Sequence, residues 1–110
     1  MKNIQLSSQQ KKSLRGIAHH LDPVVAVSER GLSEGITEET ERALNDHELI
    51  KVKVFDNDRA VRQEIANELA EKTGSVVLQK IGKIAVLYRK NPNANAELSN
   101  VSRYVDAKDF

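Results

Sequence analysis

Apolar residues recur along this chain at two spacings, three to four residues in some stretches and two in others, and each change of period marks a new element. Leu14, Ile17, Ala18 and Leu21 share one helical face, which predicts a first helix from about Ser8 to His20, capped by Ser7 or Ser8. Val24 to Val27 is a short apolar run with Pro23 at its entrance, and it reads as a buried strand. The loop Ser28-Glu29-Arg30-Gly31 leads to Ser33, the expected N-cap of a second helix reaching about Asp46. Ile36, Thr40, Ala43, Leu44 and His47 mark that helix's inward face, while Glu34, Glu38, Glu39 and Glu41 make its outer face acidic.

Leu49 to Phe55 alternates. Ile50, Val52 and Val54 point one way and Lys51 and Lys53 the other, which predicts a strand with one buried face. Asp56-Asn57-Asp58 turns the chain and caps a third helix carrying Val61, Ile65 and Leu69, with Gly74 just past its end. Two β-rich runs, Ser75 to Lys80 and Ile84 to Arg89, flank Gly82 and read as a hairpin. The order is αβαβαββ. Helices between strands imply parallel crossovers, and the last two strands pair antiparallel. The expected fold is α+β in two layers, helices packed on a four-stranded mixed sheet. Residues 1–90 form the domain. Residues 91–110 are polar and aperiodic, a flexible or loosely docked tail in which Leu98, Val101, Tyr104 and Val105 are spaced for a short docking helix.

Charge alters this picture through its distribution. Lys and Arg total 17 against 16 acids, a net charge of +1 that names no partner. Yet residues 1–21 carry Lys2, Lys11, Lys12 and Arg15 without one acid, and residues 75–96 carry Lys80, Lys83, Arg89 and Lys90 without one. Residues 28–48 hold seven acids against Arg30 and Arg42. Such polarity steers an anionic partner to one side. The chain has no cysteine, which removes disulfides, thiolate metal sites and cysteine nucleophiles. No apolar run approaches membrane-spanning length and no signal peptide core is evident, so a cytoplasmic protein without membrane association is expected. Four aromatic residues, Phe55, Tyr88, Tyr104 and Phe110, are too few to stack several unpaired bases.

The candidate chemistries narrow quickly. His19-His20 with Asp22, and Asp46-His47-Glu48, are the clusters with ligand chemistry, but adjacent helical side chains diverge, and neither a metal nor a cofactor is expected. His47 beside Glu48 lacks a nucleophile and a third orienting residue. Ser28 lacks the flanking glycines of a nucleophile elbow, Ala26 and Arg30 standing in their places. An enzyme is therefore not expected. The turn from the first strand into the second helix is different: backbone N–H groups at such a junction can hold a phosphate. A Gly-x-x-Gly turn approaches nucleic-acid backbone closely for want of Cβ atoms, and here only Gly31 of the pair is present, with Ser28 in the first place.

Several motifs in order and spacing resemble the CRM domain family (chloroplast RNA splicing and ribosome maturation), especially its small stand-alone bacterial YhbY-like members. They are Leu14-Arg15-Gly16-Ile17-Ala18-His19 with Leu21 and Pro23-Val24-Val25; Gly31-Leu32-Ser33-Glu34-Gly35; and His47-Glu48-Leu49-Ile50-Lys51-Val52-Lys53, the most specific. Gln79-Lys80-Ile81-Gly82-Lys83 with Leu87-Tyr88-Arg89 closes the set, and the similarity spans about residues 7–90. It implies a fold like the C-terminal domain of translation initiation factor three. It also implies RNA binding and association with precursors of the large ribosomal subunit. Carried onto this chain, the implied RNA-binding residues are the loop Ser28, Glu29, Arg30 and Gly31 and the neighbouring Lys11, Lys12 and Arg15; His19, Lys51, Lys53 and Lys83 join them as further candidate contacts. Ser28 for the first glycine, and Asp22 where the family has a basic residue, are departures. The expected partner is ribosomal RNA or a large-subunit precursor rather than DNA, bound by a monomer. The competing reading is a protein-interaction module docking through the acidic face of the second helix.

Overall fold

A computed structural model describes residues 6–104. The elements are α1 (Ser8–Ala18), β1 (Pro23–Val27), α2 (Glu34–His47), β2 (Leu49–Val54), α3 (Arg59–Thr73), β3 (Val76–Ile81), β4 (Ile84–Tyr88) and α4 (Asn100–Tyr104). The class is α+β with a four-stranded mixed sheet.

Local chemistry sets the helix ends. Ser7 caps α1: its hydroxyl accepts from the Gln10 N–H at 3.1 Å, and Gln10 Oε1 accepts from the Ser7 N–H at 3.0 Å, a reciprocal capping box. The helix stops at Ala18, short of the expected His20. The N–H groups of His20 and Leu21 bond the carbonyls of Ile17 and Ala18 in a tightened turn, and Asp22, preceding a proline, is driven out of the helical region. Ser33 caps α2 by accepting from Ile36 at 3.2 Å. Asp58 caps α3 by accepting from Ala60 at 2.8 Å, and Gly74, at a φ of 67°, ends it. Between α2 and β2 there is no loop. Glu48 alone, at a φ of 62°, reverses the chain.

The sheet order is β1-β2-β4-β3. β1 runs parallel to β2, and β4 lies antiparallel to both β2 and β3. The hairpin thus folds back so that β4 sits beside β2 and β3 takes the edge. On one face, Val25, Val27, Ile50, Val52, Val54 and Leu87 form a buried cluster with Leu44 of α2 and Leu69 of α3. On the other, Leu49, Val86 and Tyr88 are buried with Leu14 and Ala18 of α1 and Val101 of α4. The expectation of a single buried face for β2 therefore needs correction: Leu49, on the face of Lys51 and Lys53, is 0% exposed. α1 and α4 add a partial third layer that period-two alternation does not reveal, since it covers only the start of the strand. Beyond it, Lys51 and Lys53 are half-buried.

Among the described residues of the stretch expected to be a flexible or loosely docked tail, Asn91, Leu98, Ser99 and Asn100 make hydrogen bonds to residues 47–49. The Asn91 N–H and the Ser99 hydroxyl each donate to the Glu48 carboxylate at 2.6 Å, and Asn100 Nδ2 donates to the Leu49 carbonyl at 2.7 Å. His47 Nδ1 donates to the Leu98 carbonyl at 2.9 Å. Val105, counted in the expected docking helix, lies outside the described residues.

Candidate nucleic-acid interface

The sheet has two ends of different character. Leu49 pairs with Tyr88 at one, which also receives the tail. At the other, Val27 pairs with Val54 and Ile81 with Ile84. The loop of Ser28 to Gly31 leaves the sheet at this second, hairpin end, where the Phe55 N–H donates to Val27 at 2.9 Å and the Val54 N–H to Lys83 at 2.7 Å.

Within the loop, Ser28, Glu29 and Arg30 are exposed. The Gly31 N–H donates to the Ser28 carbonyl at 2.9 Å and the Arg30 N–H to the Ser28 hydroxyl at 3.3 Å. Two of the loop's donors are thus turned back on the loop itself, one by the backbone of the turn and one by the Ser28 hydroxyl, and they are not presented outward as expected. Gly31 has a φ of 85°, a conformation side-chain-bearing residues rarely adopt, although a Cβ there would meet nothing within 4 Å.

The cations expected around this loop are carried on several elements. α1 packs chiefly against β2, β3 and α4. Its C-terminal His19 lines a cavity of about 130 Å³ with Lys51, Gln79, Ile81, Ile84 and Val86. Lys11, exposed like Lys12, lies eight residues back, roughly 12 Å at the helical rise. Lys53 shares the face of Lys51 and places Nζ 5.0 Å from the centre of the half-exposed Phe55 ring, a cation–π contact.

Lys83 lies, like Lys53, at the loop's end of the sheet, and it has company that sequence reasoning missed. A cavity of about 250 Å³ between the start of α3 and the β3–β4 hairpin is lined by Arg59, Arg62, Lys80 and Lys83 over a floor including Val54, Ala66 and Ala85. Arg62 is positioned by two neutral acceptors: Nε donates to the Gly82 carbonyl at 3.0 Å and Nη1 to the Asp56 carbonyl at 2.9 Å. Lys80 donates to Asn67 Oδ1 at 3.1 Å. No carboxylate lines the cavity. The signal lay in the sequence as Arg59 and Arg62 on one turn of α3, but their meeting with Lys80 and Lys83 required the crossover.

Arg89, counted among the unopposed cations, has the opposite fate. Its guanidinium donates to the carboxylate and carbonyl of Glu41, to the Thr73 carbonyl at 2.7 Å and to Asn45 Oδ1 at 2.9 Å. Glu41 is thereby turned from the acidic outer face of α2, which keeps Glu34, Glu38 and Glu39 exposed. Nearby, Tyr88 is 2% exposed. Burial, and then the Glu48 carboxylate, pushes its hydroxyl up to about 12. Among the described residues, no group of three or more His, Cys, Asp or Glu is placed to hold a metal ion, and no helix is long and apolar enough to cross a membrane.

A small α+β domain whose four-stranded mixed sheet ends in a cationic hairpin side is the class these features define. The sequence profile of the CRS1/YhbY (CRM) domain matches residues 6–89, and the chain belongs to that family. It is 52% identical over 99 residues to a Pseudomonas aeruginosa protein named as a probable RNA-binding protein, covering 90% of this chain and 95% of that one. It is 50% identical over 93 residues to a Haemophilus influenzae RNA-binding protein, covering 84% and 94%. The solution structure of a Staphylococcus aureus protein, described as a candidate RNA-binding protein, superimposes with a TM-score of 0.72 at 35% identity. That match covers 81% of this chain and 93% of the other.

Proposed function

We propose that this protein is a non-catalytic, cytoplasmic RNA-binding protein that assists assembly of the large ribosomal subunit by holding structured RNA through its phosphate backbone. The observation that carries the reading is the match, at about half identity and nearly full length, to bacterial proteins named for RNA binding. Charge supports it. Among the described residues, only Lys72 and Arg89 of the lysines and arginines lie within ion-pair distance of a carboxylate, so the others keep their fields for an anionic partner. Arg30 and the start of α2 supply the loop's part, and Lys11, Lys12, Arg15, His19, Lys51, Lys53 and Lys83 extend the contact.

Cell lysate sedimented on a sucrose gradient is the deciding experiment. The protein travels with immature large subunits and leaves those fractions after ribonuclease treatment; migration only at the top of the gradient defeats the reading. Replacing Lys11, Lys12 and Arg15 together by Ala weakens binding to structured RNA and flattens its salt dependence by about 0.7 to 0.9 in log–log slope per lost contact. Gly31→Val is a poor probe of the loop, because a β-branched side chain at a φ of 85° strains the backbone and confounds folding with binding.

A further inference from the structure

We infer that the cavity between α3 and the β3–β4 hairpin is a seat for an RNA backbone phosphate, gripped by Arg59, Lys80 and Lys83 and shaped by Arg62. This rests on the RNA-binding reading and gives it a site that the loop alone does not supply.

Four cationic side chains from two elements converge on one concavity of about 250 Å³, with no carboxylate in its lining. Like charges gathered in this way repel, and without a structural counter-ion they lower the stability of the fold. At the other end of the sheet the same protein answers a half-buried cation, Arg89, with the Glu41 carboxylate. Here it does not. Arg62 is fixed by carbonyls, which orient the guanidinium without neutralising it, and two of its five N–H donors are used. Arg59 and Lys83 are exposed at the rim and make no ion pair or side-chain hydrogen bond among the described residues. The acids that precede Arg59 in the chain are turned to the backbone. Asp58 accepts from two N–H groups at the start of α3, and Asp56 Oδ1 accepts from the Asp58 N–H at 2.8 Å. An oriented guanidinium with unused donors, flanked by further cations in a concave wall, has the chemistry of a phosphate site. The apolar floor of Val54, Ala66 and Ala85 lowers the local dielectric beneath it and strengthens that attraction.

The test uses the full-length protein and a fluorescently labelled RNA stem–loop, titrated at several salt concentrations. Arg59→Gln with Lys83→Gln removes two rim charges without touching the Arg62 clamp. Lys11→Gln with Lys12→Gln removes the same charge from α1. The first pair weakens binding more than the second and reduces the log–log salt slope by about 1.4 to 1.8, two contacts at the per-contact value. Circular dichroism spectra show both variants folded like the parent. If the parent binds the stem–loop and the Arg59, Lys83 variant binds with the same affinity and slope, the cavity assignment is overturned while the RNA reading stands. If the parent shows no salt-dependent binding, both fall. Inorganic phosphate at matched ionic strength is the last arm: displacement of the RNA at micromolar phosphate would reassign the cavity to a small free anion and overturn the proposal.

Discussion

Arg89 and Arg62 occupy opposite ends of one sheet, and the difference between their surroundings separates scaffold from surface. At the tail end, Arg89 donates to a carboxylate, two carbonyls and an amide oxygen, while Glu48 accepts from Asn91 and Ser99. These bonds are all made inside the protein, and what is achieved is the joining of α2, β2, β4 and the tail. At the hairpin end, Arg62 is held by carbonyls, and its cationic neighbours face an open cavity without a counter-charge. A residue with all its bonds made inside the fold has little left to offer a partner. The family resemblance found the tail end most legible, in the run from His47 to Lys53, yet His47 and Glu48 act there as a structural joint.

The contrast can be broken most forcefully at Glu48. Glu48→Ala removes two hydrogen bonds to a buried carboxylate and costs about 3 kcal/mol in denaturant unfolding, with binding to structured RNA unchanged at temperatures where the variant is folded. Glu48→Gly loses the same bonds but relieves the positive φ, so it is less destabilised than the alanine variant by about 1 kcal/mol. Equal losses would mean that the backbone there is not strained.

Alkaline pH attacks the same end. The Tyr88 hydroxyl is raised in the folded state to about 12 from an ordinary value of 10.0. Below pH 10 both folded and unfolded states keep the proton, and the contribution is fully present. As pH rises from 10 toward 12 the unfolded state releases its proton first, so stability falls through that window. Denaturant midpoints measured across it decline, and Tyr88→Phe declines less.

At the hairpin end the expected stability effects are smaller. Gly31→Ala costs about 1 kcal/mol through its positive φ alone, since no atom crowds the new methyl group; thermal melts check this. Smallest of all, Arg59→Gln with Lys83→Gln shifts folding stability by no more than about 0.5 kcal/mol, as expected for exposed side chains without internal partners. A loss comparable to that of Glu48→Ala would erase the distinction between the two ends.

What the sequence determined by itself was local. Ser7, Ser33, Asp58 and Gly74 carry their helix boundaries in their own chemistry, and the period-two run from Leu49 needs no distant information to be read as a strand. The Ser28 to Gly31 turn was legible for the same reason, although its donors' inward direction was not. Only the tertiary structure decided that β4 inserts beside β2, that Leu49 is buried beneath α1 and α4, and that Arg89 is matched by Glu41. It also decided that Arg59 and Arg62 meet Lys80 and Lys83. Caps, turns and periodicity act over a few residues, and a sequence states them directly. Which charges share a cavity depends on strand order and on which sheet face each helix covers, and those follow from packing the whole chain at once.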